Sequence, residues 1–464
     1  MSVDTVLRPD IVNYKVVPQH NGRYRLRKLM LNNVNGNAIT LAAASTSLAE
    51  FKIPAGTVFN PARTTLDYQL VCAGEANKAI WTFQDTIPEV ASIQFGNASG
   101  VLLVDLQYAN NYVAVARKID TDQLSFHGTD VTAGLNPASD MSKNYFPPAV
   151  AVPAGNAYGL VAGTFAHALT QPEPQYAYSS PALGDNLLAA RSIPLSAFTH
   201  TALAMDRDMI FGEEMYIRIQ IAPSSKVVFT STALADPAAG AAAVATQPLL
   251  QQISMRLAVQ VDDQVEAYVR GKFQAGQMSF TFPYVYAWRT GTTQAGTASI
   301  QYQMTNQYGK KLKRILHTVL PATETLNVAF DHENMDGSKL DQYQTAIDSQ
   351  PLQDDRLSCK QPVVNGARGM DDWRENKHLA RGSALPNSAA YYLSWFHCDS
   401  FSNPKRESSV LVPEANILEG LDLAMPRTWS FTGTVAANLA HYTFAEFVRE
   451  VHASPLGPTE IRVA

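Results

Sequence analysis

His397, Cys398 and Asp399 stand in a row in SWFHCDSF. Imidazole, thiol and carboxylate together are the donors of a metal site or a Cys–His pair. Neighbours on a strand point to opposite faces, so His397 and Cys398 cannot close on one ion, and the flanking residues predict an ordinary buried strand. The richest ionisable cluster is DDWRENKHLARGS, with Asp371, Asp372, Arg374, Glu375, Lys377 and His378 around Trp373. Paired carboxylates would suit acid–base work. Mixed-sign charge around a tryptophan reads instead as a polar loop or an interface, because Trp and Arg anchor protein contacts. Asp262 and Asp263 in VQVDDQVEAYV are expected at a turn between strands rather than at an acid pair or a calcium site. Lys310, Lys311, Lys313 and Arg314 form the one local basic run, in NQYGKKLKRIL. It could face phosphate, but it reads as a hairpin end with solvated charges. GARGMDDWR lacks the helix and the Lys-Ser/Thr of a phosphate loop. Asn97-Ala98-Ser99 matches a glycosylation acceptor that matters only in a secreted chain. No catalytic residue, cofactor site or metal site is expected.

The elements that would carry these residues are bounded by composition. A chain of 464 residues favours two domains. Hydrophobic residues make up 46% and charged residues only 17%, below the usual share of roughly 25%, which points to surface covered by neighbouring subunits. The net charge of -5 offers no global basic field for nucleic acid. Cys72, Cys359 and Cys398 lie far apart and are expected as free buried thiols. The N-terminal stretch MSVDTVLRPDIVNYKVV has no apolar core of signal-peptide length, which predicts a chain made and folded in cytosol. No apolar run is long enough to span a bilayer.

Period-two alternation dominates. RYRLRKLMLNNV, MYIRIQIA, ISMRLAVQV and ASIQYQMTN read as half-buried antiparallel strands. LVDLQYANNYVAVAR (Leu103 to Arg117) reads as a strand running into one or two helical turns. DGSKLDQYQTAID (Asp336 to Asp348) is expected as a short helix, with Ser338 as its cap and Leu340, Tyr343 and Ile347 on one face. HYTFAEFVREVHA (His441 to Ala453) fits either a helix or a final strand. The chain is therefore mainly β with a few short helices. FKIPAGTVFNPARTTLDYQL, Phe51 to Leu70, predicts strands broken at Pro54-Gly56 and again at Asn60-Pro61. Phe51, Ile53, Val58 and Phe59 would feed the core, with Arg63 and Asp67 at a rim or subunit boundary. STALADPAAGAAAVATQPLL reads as a connector over 231–250, between a first domain over 1–230 and a second over 251–464. Long insertions interrupt each, at about 120–200, where FPPAVAVPAGNAYGLVAG is apolar and Pro-rich, and at about 350–385. The order of features repeats in the two halves, which predicts duplication.

On these residues, and on GVLLVDLQYANNYVAV, LDQYQTAIDSQPL, the Asp399-Ser400-Phe401 stretch and GLDLAMPRTWSFTGTVAANLAHYTF, the chain resembles the double jelly-roll major capsid proteins of tailless icosahedral double-stranded DNA viruses. The branch is that of virophages, polinton-like viruses and adintoviruses, and more distantly the giant DNA viruses. The resemblance implies two consecutive eight-stranded antiparallel jelly-roll sandwiches and a homotrimer of pseudo-hexagonal outline. It implies no enzymatic activity, no cofactor and no sequence-specific nucleic acid binding. The partners it implies are neighbouring capsomers, penton and minor capsid proteins, with or without a membrane beneath the shell. The place is the virion, assembled in host cytoplasm or nucleus. Arg63, Trp373 and Arg374 are the candidate subunit-interface residues. The competing reading is a secreted tandem β-sandwich that binds or cleaves carbohydrate, which would need an export signal and convergent carboxylates.

Overall fold

The computed structural model describes residues 23–30, 38–83, 87–120, 177–232, 242–276, 278–290, 296–321, 340–352, 356–358, 379–381, 394–401, 420–435, 439–453, 455 and 459–462. The expected Trp373, Arg374 and Cys359, the charged cluster around Trp373 and most of both long insertions lie outside them.

Among the described residues, eight strands build the two main sheets of the first half, beside a small three-stranded sheet of Ala79–Phe83, Ala177–Ser179 and Val228–Ser231. The eight are β1 (Tyr24–Met30), β2 (Ser47–Ile53), β3 (Phe59–Cys72), β4 (Val90–Asn97), β5 (Leu102–Gln107), β6 (Leu187–Pro194), β7 (Met215–Ile221) and β8 (Leu249–Gln260). They pair in two antiparallel sheets ordered β1-β8-β3-β6 and β2-β7-β4-β5. The second half runs through β9 (Met278–Arg289), β10 (Gly296–Met304), β11 (Lys311–Pro321), β12 (Leu340–Ile347), β13 (Ser394–Ser400), β14 (Arg427–Val435) and β15 (Leu439–Ala453). Its sheets contain the orders β9-β15-β11-β13 and β10-β14-β12. In both halves the first strand pairs the last, and the last pairs the third. That is the two-sheet jelly roll, in which Greek-key connections alternate between sheets. The place beside β12 is taken, among the described residues, by the short strands Gln350–Pro351 and Leu357–Ser358.

Local sequence explains most elements. In β7, MYIRIQI, every second residue is buried, as a strand with one face on a core requires. Between β2 and β3 the chain turns at Pro54–Thr57, where Gly56 adopts φ 72° and the Thr57 N–H donates to the Pro54 carbonyl at 3.3 Å. Only glycine takes that φ without strain. Phe51, Ile53, Val58 and Phe59 are all buried, as expected. Asn60-Pro61 interrupts the β3–β8 register instead of ending the strand. A bulge is where a residue without an N–H costs no ladder bond.

Four expectations are corrected. Residues 340–347 form β12, not a helix: Tyr343, Thr345 and Ile347 alternate inward, and pairing with β14 decides what the short run left ambiguous. Asp262-Asp263 is no turn between strands. Asp262 caps helix α2, whose range is Asp263–Gln274, by accepting from the Gln264 and Val265 N–H groups at 3.1 and 3.3 Å. The run at 310–314 is not wholly solvated, for Lys313 and Arg314 are buried in β11. The break at 250/251 also falls too early. β8 hydrogen-bonds to β1 and β3, so the first half extends to Gln260, and α2 lies between the halves. His441 to Ala453 takes the strand reading, as β15.

Candidate functional site: the seam between the halves

Helix α1 (Ala109–Asp120) directly follows β5, one residue past Tyr108, whose φ is 54°. Ala109 to Ala116 are buried on every side of the helix. A helix buried all round lies between packed bodies. Here it sits between the first sandwich and strands β11 and β15 of the second. Tyr112 packs edge-on to Phe444 with ring centroids 5.3 Å apart, and Tyr108 to Tyr442 at 5.2 Å.

Glu446 of β15 is the hub. Arg314 of β11 donates to it twice, Nε to Oε2 at 2.6 Å and Nη2 to Oε1 at 2.8 Å. The Tyr112 hydroxyl lies 2.9 Å from Glu446 Oε1 and 2.9 Å from the Thr199 carbonyl. His200 Nδ1 lies 3.4 Å from Oε2. The first half thus supplies Tyr112 and His200, and the second Arg314 and Glu446. The carboxylate and the guanidinium are 1% and 0% exposed. A charge removed from water this fully persists only when paired and hydrogen-bonded. A second link joins the halves at the rim, where Glu213 Oε1 accepts from Thr459 N at 3.0 Å and from Asn97 Nδ2 at 2.6 Å.

Each sandwich also carries a polar pin of its own. In the first, Glu89 accepts from Arg191 Nε at 3.0 Å and from the Tyr68 hydroxyl at 3.0 Å. Burial, with the Glu89 carboxylate beside it, pushes the Tyr68 phenol well above its ordinary pKa, so it stays a donor. In the second, Asp399 accepts from Thr345 Oγ1 at 2.9 Å and from Trp429 Nε1 at 2.8 Å. The carboxylate of the His-Cys-Asp run therefore ties two sheets together, and Cys398 beside it is buried. Among the described residues no three His, Cys, Asp or Glu side chains converge as metal ligands. Burial raises the Cys72 thiol to about 11, which leaves it a poor nucleophile.

His317 and His441 meet at 3.1 Å in the second core, and His441 Nδ1 lies 3.1 Å from Thr443 Oγ1. Burial depresses His441 to about 3. The unfolded imidazole protonates near 6.5. From about pH 6.5 down towards 3 the unfolded chain therefore holds a proton that the folded chain does not. Stability contributed by the neutral ring is full above pH 6.5 and falls as pH drops, by up to about 1.4 kcal/mol per unit. We predict that H441N flattens the pH dependence of thermal unfolding between pH 7 and 4.5. A slope unchanged by the substitution would assign the acid sensitivity elsewhere.

Of the candidate interface residues, Arg63 is described. Its side chain is 47% exposed and donates to both Asp206 oxygens, at 2.9 and 3.1 Å, while its guanidinium lies over the Tyr24 ring at 4.8 Å. The Arg63 guanidinium beside Asp206 holds that carboxyl below its usual pKa. Arg63 is thus half-exposed and already engaged within the chain. Asp67 is less open than expected and pairs with Arg256 at 2.5 Å. The seam roles of Tyr112 and Glu446, and the Glu89–Arg191 pin within the first sandwich, escaped the sequence reading. The usable signal was an ion inside an apolar strand, such as Arg314 before ILHTVL and Glu446 within YTFAEFV, since such residues are rarely buried alone.

The site is a set of fasteners inside a duplicated sandwich, and the class it defines is the double jelly roll. No protein-family model matches the chain, and no curated protein matches it in sequence. Among solved structures it is similar to PBCV-1 VP54 as fitted into a cryo-EM reconstruction of the virophage Sputnik. The likeness covers 97% of this chain and 99% of that one, with a TM-score of 0.51 and 8% identity. The Faustovirus major capsid protein covers 97% and 93% at TM-score 0.49 and 9% identity, and that of mavirus 98% and 94% at 0.47 and 11%. The chain has the double jelly-roll fold over nearly its whole length.

Proposed function

We propose that the chain is the major capsid protein of a tailless icosahedral double-stranded DNA virus and works as a homotrimer. The observation that carries this is the repeated strand order, one jelly roll after another, locked by a buried seam into one block. Two similar sandwiches per subunit give a three-fold assembly a six-sided outline, the shape that tiles a closed shell. The whole-chain likeness to VP54 supports the same reading. The charge content of 17% suits broad subunit contact, because unpaired charge is costly to bury. No described feature calls for catalysis. Tiling also places the protein in the virion, beside neighbouring capsomers, pentons and minor capsid proteins.

Light scattering with negative-stain imaging tests this. A particle of roughly three times the 50.6 kDa chain mass with a six-sided silhouette is the expected result. A monodisperse monomer, above all one that binds or cleaves glycans, overturns it.

A further inference from the structure

β1 stands at the end of its sheet, and no described strand pairs with its outer edge. Such an edge offers a row of backbone donors and acceptors to any extended chain that can approach. Its side chains decide which chain that is. Arg23, Arg25, Arg27 and Lys28 are all exposed, and none makes an ion pair among the described residues. From Asp10 to Glu50 the sequence contains no other acidic residue, while Lys15 adds a fifth cation to the same stretch. A chain of net charge -5 has concentrated positive charge on one strand whose outer edge no described strand covers.

The register places those cations on both faces. Arg25 and Arg27 sit opposite Val259 and Leu257, in line with Leu29 opposite Met255, on the inner face. Lys28 sits opposite Arg256 on the outer face, between Leu26 and Met30, which are 53% and 44% exposed. A strand added to this edge would bring its side chains to within about 5 Å of these.

We propose that the open edge of β1 is a strand-addition site for an extended acidic segment of a partner protein. Like charges directly opposite destabilise a pair of strands, so two copies of β1 repel each other. No described strand of this chain carries acids at i and i+2, so no described strand of a second copy supplies the occupant. The chain's own residues 1–22 balance Asp4 and Asp10 against Arg8 and Lys15 and would not neutralise the edge. A polyphosphate would satisfy the cations but not the edge carbonyls, whereas a peptide answers both. The charges that bar this protein's own edges select an acidic partner. This inference stands whether or not the chain forms a shell.

The test uses the full chain and a capped octapeptide of alternating Glu and Val, with binding read by fluorescence anisotropy. Saturable binding is expected, weakened about tenfold by R25E/R27E and abolished when alternate peptide nitrogens are methylated. Absence of saturable binding overturns the proposal. So does equal binding by the methylated peptide, or tighter binding by an oligothymidylate, which would make the edge an anion site without strand addition.

Discussion

Alanine at position 446 is expected to lower the unfolding free energy by about 3–5 kcal/mol, the cost of taking a paired carboxylate from a buried charge. Arg314 is that charge, fully buried in β11 with both bonds to the carboxylate removed. The loss also reaches across the seam, because Tyr112 of α1 reads the same carboxylate. Y112F deletes only the hydroxyl and is expected to cost about 1–3 kcal/mol, as a hydrogen bond to a charged group does. The two substitutions should not add. A double-mutant cycle by thermal or denaturant unfolding is expected to return a coupling of about 1–2 kcal/mol. Strict additivity would mean that the hydroxyl and the carboxylate do not hold the halves together. In a trimeric assembly the same variants should shed the second half's protection from proteolysis first, since Glu446 is its link to α1.

Replacing Glu89 with alanine is the second large effect, again about 3–5 kcal/mol, because Arg191, 2% exposed, loses this carboxylate from its ion pair. The informative comparison is the triple variant E89L/R191M/Y68F, which removes the ion pair together with the phenol that donates to it. Exchanging a whole buried ionic set for apolar groups of similar volume is often near neutral, so the triple variant is expected within about 2 kcal/mol of the parent. If it is as unstable as E89A, then packing volume at this site, not the stranded charge, sets the cost. Melting temperatures of the three proteins at pH 7 decide it.

Both pins explain why a double sandwich of this size needs ions in its core. Apolar contact is non-directional, and two sheets of alternating side chains can slide over one another with little loss. A bidentate arginine–carboxylate pair fixes distance and orientation together. Glu446 sets where the second half sits on α1, and Glu89 with Arg191 sets how the two sheets of the first half face each other.

Alternation in MYIRIQIA, ASIQYQMTN and FKIPAGTVFNPARTTLDYQL determined by itself that the chain is mainly β, where several strands lie, and which of their faces is buried. Period and turn chemistry are local properties, and Gly56 or Pro61 act through their own backbones. The tertiary structure alone decided the state of 340–347, since Leu340, Tyr343 and Ile347 satisfy a helical spacing while Tyr343, Thr345 and Ile347 satisfy a strand's. It alone moved β8 into the first half, because strand pairing joins Gln260 to Tyr24 across more than two hundred residues. It alone brought Tyr112 to Glu446, 334 positions apart. A charged residue's sequence shows that a partner is required, but which partner depends on how separate sheets stack, and that is set only when the whole chain packs.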